Sequence, residues 1–400
     1  MTPVQWAIAF IDMFSTGLMQ PVLSLLLLGR GATLSTLPLL ICTYSMTVFL
    51  FEFPSGVFAD MKGRKAAFVT ATALNAASMP LLMLRRDFLT TMVAMVLLGL
   101  GKAFSSGSYD ALVIDDCIMR RGKGWARKAA SQLAVCQSLG ISIGALFGGL
   151  LPETKGFTAH LAVRTVLLLS VLVLSALAVK ERPSGGKKHT RLKGHLMGCG
   201  SLIMEKPVMI YAFMGVFATG GLILTTEVYW QPSYKLLSDA GGLRLLGLIS
   251  FLGFGAAALG NMLAHKLSIK DGSLATGFFL SRAAVGALAV LLALQRSPSG
   301  FIAAYGMVYM LLGSSEILEK GLMNGLVPSD RRASMLSLLS LVMQAGGFLA
   351  SGLAGLVVTR IGIGGVWAAC GAFLVCICAA PAMIRPLVSA RAGNQIKAPP

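Results

Sequence analysis

Nine ionisable side chains lie within or at the edges of long apolar stretches of this 400-residue sequence: Asp12, Glu52, Lys102, Asp110, Glu227, Arg282, Glu316, Glu319 and Lys320. A charge at the centre of a membrane-spanning helix costs about 2.5–3.5 kcal/mol on insertion scales, so such a group points either to function or to an ion pair that joins helices. Asp12 stands eight residues into the first apolar run, about 12 Å deep. With Ser15, Thr16 and Gln20 it offers small polar groups that could touch a solute, although pairing with a neighbouring helix would equally explain it. Asp110 lies further from the end of its run than Asp115 and Asp116 and is the leading candidate to carry a proton, with an ion pair that merely joins helices as the other reading. Lys102 precedes it by eight residues. On an unbroken helix it would point about 80° away, which favours Asp12 as its partner. Glu316 and Lys320, four apart, can pair on one helix face. Arg282 could reach Glu316 from the preceding run, and Glu227, beside Trp230, is expected to be solvated at a membrane interface.

The elements that would hold these groups are membrane helices. The chain is 56% hydrophobic and only 12% charged, with a mean hydropathy of +0.77, whereas a soluble globule carries about 25% charged residues. A bilayer crossing takes about 20 apolar residues. Twelve such runs occur, near 4–28, 37–59, 66–84, 88–115, 129–151, 159–179, 207–229, 245–264, 273–294, 300–321, 334–358 and 365–384. The fold class expected is an all-α membrane protein of twelve helices in two similar halves, each of six. The first run contains Asp12 and has no basic residue before it, so it reads as a retained helix rather than a cleaved leader. Trp6, Trp125, Trp230 and Trp367 all fall near expected helix ends, where aromatic rings anchor at headgroup depth.

The formal charge of +18 follows the loops rather than forming a patch. With residue 1 in the cytoplasm, cytoplasmic segments hold 22 of the 34 Lys and Arg, and the opposite loops hold 9. Basic residues resist translocation, so both termini are expected inside a cell membrane. The charge therefore reports topology, and no nucleic-acid partner is expected. The seven cysteines form no C-x-x-C pair, and His160, His189, His195 and His265 are scattered near loops. No metal site and no cofactor are expected. The sequence has no G-x-x-x-x-G-K-[ST] phosphate loop and no nucleophile–base arrangement, which argues against an enzyme or an ATP-driven pump and leaves an ion gradient as the energy source.

The one long hydrophilic gap, 180–206, divides the chain into 1–179 and 207–384, followed by a tail at 385–400. The halves carry traces of duplication. Gly107-Ser108-Tyr109-Asp110 matches Gly313-Ser314-Ser315-Glu316 at +206, and Arg127-Lys128-Ala129-Ala130 matches Arg331-Arg332-Ala333-Ser334 at +204. Duplicated halves around a polar centre are a common design of secondary transporters. Gly140, Gly144 and Gly148, and Gly347, Ser351 and Gly355, recur every fourth position and would let a neighbouring helix backbone approach closely.

The turn Gly56-Val57-Phe58-Ala59-Asp60-Met61-Lys62-Gly63-Arg64-Lys65 falls between the second and third runs and reads G-x-x-x-D-x-x-G-R-K. It resembles the signature loop of the major facilitator superfamily of secondary transporters, and the resemblance extends over essentially the whole chain. Glu52-Phe53-Pro54-Ser55-Gly56 and Ser106-Gly107-Ser108-Tyr109-Asp110-Ala111-Leu112 are similar to a bacterial branch that contains many drug exporters. The second copy of the loop, Gly260 to Lys270, has Ala264 where the acid would stand. In the fourth run the arginine-x-x-glutamine-glycine pattern of the superfamily's antiporters is absent. Gly140 to Gly149 is similar to the exporters' fifth-helix motif, with Ala145 in place of its proline, and favours export.

The resemblance implies an alternating-access carrier that acts as a monomer in the lipid bilayer and exchanges protons for small amphipathic organic molecules. Asp12, Ser15, Gln20 and Ser106 would contact substrate, while Asp110, Lys102 and Glu316 would serve proton coupling. Gly56, Asp60, Gly63, Arg64, Lys65 and Asp115 would form a cytoplasmic gate, with Asp60 facing the start of the eleventh helix near Ser334 and Arg64 meeting Asp115. A carboxylate at a helix N-terminus is favourable on general grounds. Proton-linked nutrient uptake is the alternative within this class. A membrane sensor or scaffold that binds without transport is the alternative outside it.

Overall fold

The computed structural model describes residues 1–84, 87–178, 203–204, 207–238, 242–266, 274–327 and 332–395, and among them it contains helices and no strands. The expected linker 180–206 therefore lies almost wholly outside the described residues. The helices are α1 (Pro3–Met19), α2 (Leu23–Leu28), α3 (Leu37–Lys62), α4 (Arg64–Leu84), α5 (Phe88–Ser105), α6 (Ser108–Arg121), α7 (Ala126–Ala178), α8 (Pro207–Leu237), α9 (Leu243–Lys266), α10 (Leu274–Ala293), α11 (Pro298–Leu326) and α12 (Arg332–Gln395). Among the described residues, nine helices are long and apolar enough to cross a membrane. Two of these, Lys128–Leu177 and Leu338–Ala380, have 50 and 43 residues, far more than the roughly 20 that one crossing needs.

Both long helices bend where a second crossing must begin. Gly156 adopts φ 78°, ψ 167° and Gly362 adopts φ 71°, ψ 172°, a backbone that L side chains adopt only with strain. The two bends are 206 residues apart, the same offset as the Gly107/Gly313 match, and they fall in the gaps between the fifth and sixth and the eleventh and twelfth expected runs. With α5 and α6 counted as one interrupted crossing and α1 as another, the helices are compatible with twelve spans.

The chain divides into two compact units, Met1–Lys188 with Ser238–Leu252, and His189–Leu237 with Gly253–Pro400. In the first, α1 packs along α7, α4 packs on α5 and α7, and α3 packs on α5. The glycine stripe sets the α1–α7 distance: a Cβ on Gly140, Gly144 or Gly148 would run into the main-chain carbonyls of Phe10, Phe14 or Leu18. Residues 238–252 belong to this unit, where Glu153 accepts a hydrogen bond from the Arg244 amide at 2.7 Å and so caps the start of α9. In the second unit α8 packs along α12 in the same manner, with Gly220 against the Met343 carbonyl and Gly346 against the Phe217 carbonyl. Small residues at such crossings are what bring membrane helices together, because the surrounding lipid offers no hydrophobic drive for association.

Two of the four tryptophans expected at an interface are instead turned into the protein. Trp230 and Trp367 are each 1% exposed. Trp230 packs on the Tyr305 ring with centroids 5.2 Å apart, and the indole N–H of Trp367 donates to the Thr225 carbonyl at 3.2 Å. Proximity to a helix end in sequence could not distinguish an anchor from a ring turned into the bundle. Trp125, by contrast, stacks under Arg121 and Lys128, each 4.5 Å from its ring centre.

A charged cluster at a helix break

The fourth crossing is interrupted. Helix α5 ends at Ser105, Gly107 takes the left-handed conformation (φ 66°), and α6 begins at Ser108. This changes the expected relation between Lys102 and Asp110, because an angle of 100° per residue applies only along a continuous helix. Lys102 falls in the last turn of α5 and Asp110 in the first turn of α6. Each charge thereby meets the helix end that favours it: a cation at the carbonyl end and an anion at the amide end. Residue types around the break give no hint of it except the glycine. The equivalent stretch in the second unit, Gly313 to Glu316, runs through α11 without a break, and there Gly313 packs against the Ala257 carbonyl instead.

Around the break, Gln137 on α7 donates from its amide to Asp110 Oδ1 at 2.8 Å. The Tyr109 hydroxyl donates to the Gln5 carbonyl at 2.7 Å, and its ring lies on Phe68. Asp12 stands within electrostatic reach of Lys102, Arg164 and Asp110. It closes no ion pair with Lys102, the partner expected for it. The sequence singles out neither Arg164, one of the nine bases counted with the opposite loops, nor His160, one of the histidines read as scattered near loops. Both lie on α7 beyond the Gly156 bend and are buried, at 7% and 0% exposure. Arg164 Nε and both ring nitrogens of His160 have no hydrogen-bond partner. A strongly apolar stretch with one Arg near its start could have flagged the first of these. Moving Arg164 out of the outer loops leaves the direction of the charge asymmetry unchanged.

The other expected substrate contacts scatter. Ser15 is fully buried with its hydroxyl unpartnered, Gln20 is the residue that ends α1, and Ser106 is exposed at the break itself. Thr16 turns its hydroxyl back to the Asp12 carbonyl at 3.1 Å.

At the α4–α6 edge of the same unit Arg64 forms an ion pair with Asp115, and their side chains are 30% and 38% exposed. Gly63 ends α3 with φ 100°, and the Lys65 ammonium donates to the Ala176 carbonyl at 2.7 Å. Gly56 is exposed on α3, with open space where a Cβ would be. The side chains of Asp60 and Ser334 lie outside the described residues, so the contact expected between them does too. Asp116 is held by the Gln5 amide at 2.8 Å and by Arg120 Nε at 2.9 Å. The Gln5 side chain also closes a capping box with Thr2, which fixes the start of α1 by satisfying amides that have no helical partner.

In the second unit Glu316 pairs with Lys320 at 2.6 Å, with both side chains more than half exposed. Arg282 does not reach Glu316 as expected. It pairs with Glu319 at 2.5 Å, where the two side chains are 3% and 13% exposed, and its guanidinium lies 5.4 Å from the Phe278 ring centre. Glu316 and Glu319 are three apart on one helix face, and only the packing of α10 on α11 decides between them. Glu227 is half-buried, ten residues before the end of α8, and accepts a hydrogen bond from the Tyr309 hydroxyl. Protein contact, rather than the interfacial solvation expected, accounts for it.

A sequence model of the Major Facilitator Superfamily matches residues 6–318. An uncharacterized MFS-type transporter of Bacillus subtilis (strain 168), YxaM, is 25% identical over 245 residues, which span 59% of this chain and 59% of that protein. Among solved structures, the nucleoside transporter NupG superposes with a TM-score of 0.79 at 12% identity, over 96% of this chain and 100% of that one. A POT family transporter in complex with a thioalcohol-conjugated peptide does so with a TM-score of 0.72 at 16% identity, over 96% of each chain.

Proposed function

Because the chain belongs to the Major Facilitator Superfamily, we propose that it is a proton-coupled secondary carrier that exports small amphipathic organic molecules by alternating access. The observation that carries this reading is the interrupted fourth crossing. Two acids and two bases, Asp12, Asp110, Lys102 and Arg164, share one neighbourhood there, and a half-buried carboxylate sits at a helix start. Charges are retained in membrane helices at a cost, and discontinuous helices with polar groups at the break are a recurring way to build an ion- or substrate-handling site. Asp110 carries the proton, with Lys102 and Glu316 as the other coupling candidates, while Asp12, Gln20 and Ser106 face the solute and the buried Ser15 does not.

The two six-helix halves, 1–179 and 207–384, move as the carrier's two bodies, with both termini in the cytoplasm and one chain as the working unit. Export as the direction is supported by the likeness of Gly140 to Gly149 to the exporters' motif. The test is a compound panel applied to inside-out vesicles with an acidified lumen, following lumenal pH. An exporter alkalinises the lumen when its compound is added. Proton movement only in right-side-out vesicles reverses the direction to uptake, and no compound-dependent proton movement in either orientation overturns the coupling.

The stretch Gly56, Asp60, Gly63, Arg64 and Lys65 with Asp115 acts in this reading as the latch of one state. An ion pair this exposed adds at most about 1 kcal/mol to stability. A shift of that size still changes the population of the latched state about fivefold. Asp115→Asn is therefore expected to slow flux about fivefold while leaving thermal stability in detergent nearly unchanged, and the charge-swapped pair Arg64→Asp/Asp115→Arg should recover part of the rate. Unchanged flux in Asp115→Asn removes the pair from the latch.

A further inference from the structure

Three acids are described in the second unit, and two of them have a cation: Glu316 has Lys320 and Glu319 has Arg282. Glu227 has none. Its hydrogen-bond partner is the Tyr309 phenol, and the titratable groups that act on it are Tyr309 and Tyr305, both on α11. The elements packed against α8 are α10, α11 and α12. Among their described residues no lysine, arginine or histidine reaches the carboxylate.

The groups beside it are aromatic faces. The rings of Tyr305 and Tyr309, four apart on α11, meet at a tilt of 36° with centroids 4.5 Å apart, and Trp230, one turn along α8 from Glu227, packs on Tyr305 at 5.2 Å. Trp230 and Tyr305 are buried at 1% and 3% exposure, whereas Glu227 and Tyr309 keep a small part of their surface exposed. The rings thus form a fixed wall and the carboxylate its open edge.

A carboxylate without a counter-charge in a membrane helix is costly, and ring faces carry negative electrostatic potential. Both features attract a cation and repel an anion. One carboxylate and two phenols supply too few oxygens for a calcium-like metal ion, and flat rings suit a large, weakly hydrated organic cation. We propose that Glu227 and Tyr309, backed by the buried rings of Tyr305 and Trp230, form the recognition site for the positive charge of an amphipathic organic cation. This rests on the carrier reading above and specifies its substrate class. Protonation of Glu227 removes the charge that holds the cation, so binding itself depends on pH, while the coupling proton of the carrier reading stays with Asp110.

The test uses the purified full-length protein in detergent and a pair of probes of one shape and opposite charge, tetraphenylphosphonium and tetraphenylborate. The wild type is expected to bind the phosphonium and not the borate, with affinity that falls on acidification. Glu227→Gln should weaken phosphonium binding by about tenfold or more and remove its pH dependence, the loss of one charge-assisted contact. Tyr309→Phe should produce a smaller loss. Glu227→Asp keeps the charge, retains binding, and keeps the proposal testable if the glutamine variant does not fold. Equal binding of both probes, no phosphonium binding by the wild type, or wild-type affinity in Glu227→Gln overturns the site. Phosphonium that binds in a Glu227-dependent manner but is never moved across a liposome membrane overturns the carrier reading and leaves the site standing. Movement of a neutral solute that is unaffected by Glu227→Gln does the reverse.

Discussion

Replacing Asp110 by asparagine is expected to abolish accumulation driven by a pH gradient while leaving the protein folded and able to exchange its solute. Asparagine has the same shape and can still accept the hydrogen bond from Gln137, so the start of α6 need not move. What it lacks is a proton to take up and release. A pH step of about one unit is worth about 1.4 kcal/mol per proton, which sustains a concentration ratio of about tenfold when one proton is exchanged per solute. In the variant that ratio should fall to about one. The measurement is accumulation in inside-out vesicles with and without the gradient, and persistence of gradient dependence would remove Asp110 from the coupling step.

The largest effect on stability is expected at Arg282 and Glu319. Removing the acid alone, as in Glu319→Leu, strands a guanidinium that is 3% exposed against Phe278. Breaking a buried pair in this way typically costs about 3–5 kcal/mol, whereas replacing both partners by apolar groups is often neutral. The double variant Arg282→Met/Glu319→Leu should therefore recover most of the thermal stability that Glu319→Leu loses, measured as the temperature at which half the protein leaves the monodisperse peak in detergent. Equal losses in the single and double variants would contradict the assignment of the pair as mainly structural.

Hydropathy made the spans legible because a crossing is written in about 20 consecutive residues, and the bends at Gly156 and Gly362 fall in gaps between expected runs. The same averaging hid what happens within a run. A left-handed residue at Gly107 leaves hydropathy untouched, yet it separates Lys102 from Asp110 and puts each at a helix end. Arg164 counts as a loop base because a charge near the start of a run resembles a boundary, and His160 reads only as a histidine near a loop. The structure instead turns both inward beyond the Gly156 bend. The choice of Glu319 over Glu316 as partner of Arg282, and the burial of Trp230 and Trp367, are set by how neighbouring helices rotate against one another. One chain's pattern of residue types leaves that rotation open. Contacts between oppositely charged residues far apart in sequence, such as Arg64 with Asp115, were reachable only through resemblance to a family.

The most direct measurement is solute counterflow in liposomes containing the purified protein, loaded with an unlabelled compound that emerged from the vesicle panel and diluted into a trace of the labelled one. A carrier that exposes one site alternately to each side predicts a transient rise of trapped label well above the external concentration, followed by decay. Label that climbs only to the amount of protein present and then stays constant would mean a binding protein that does not transport, contrary to the account.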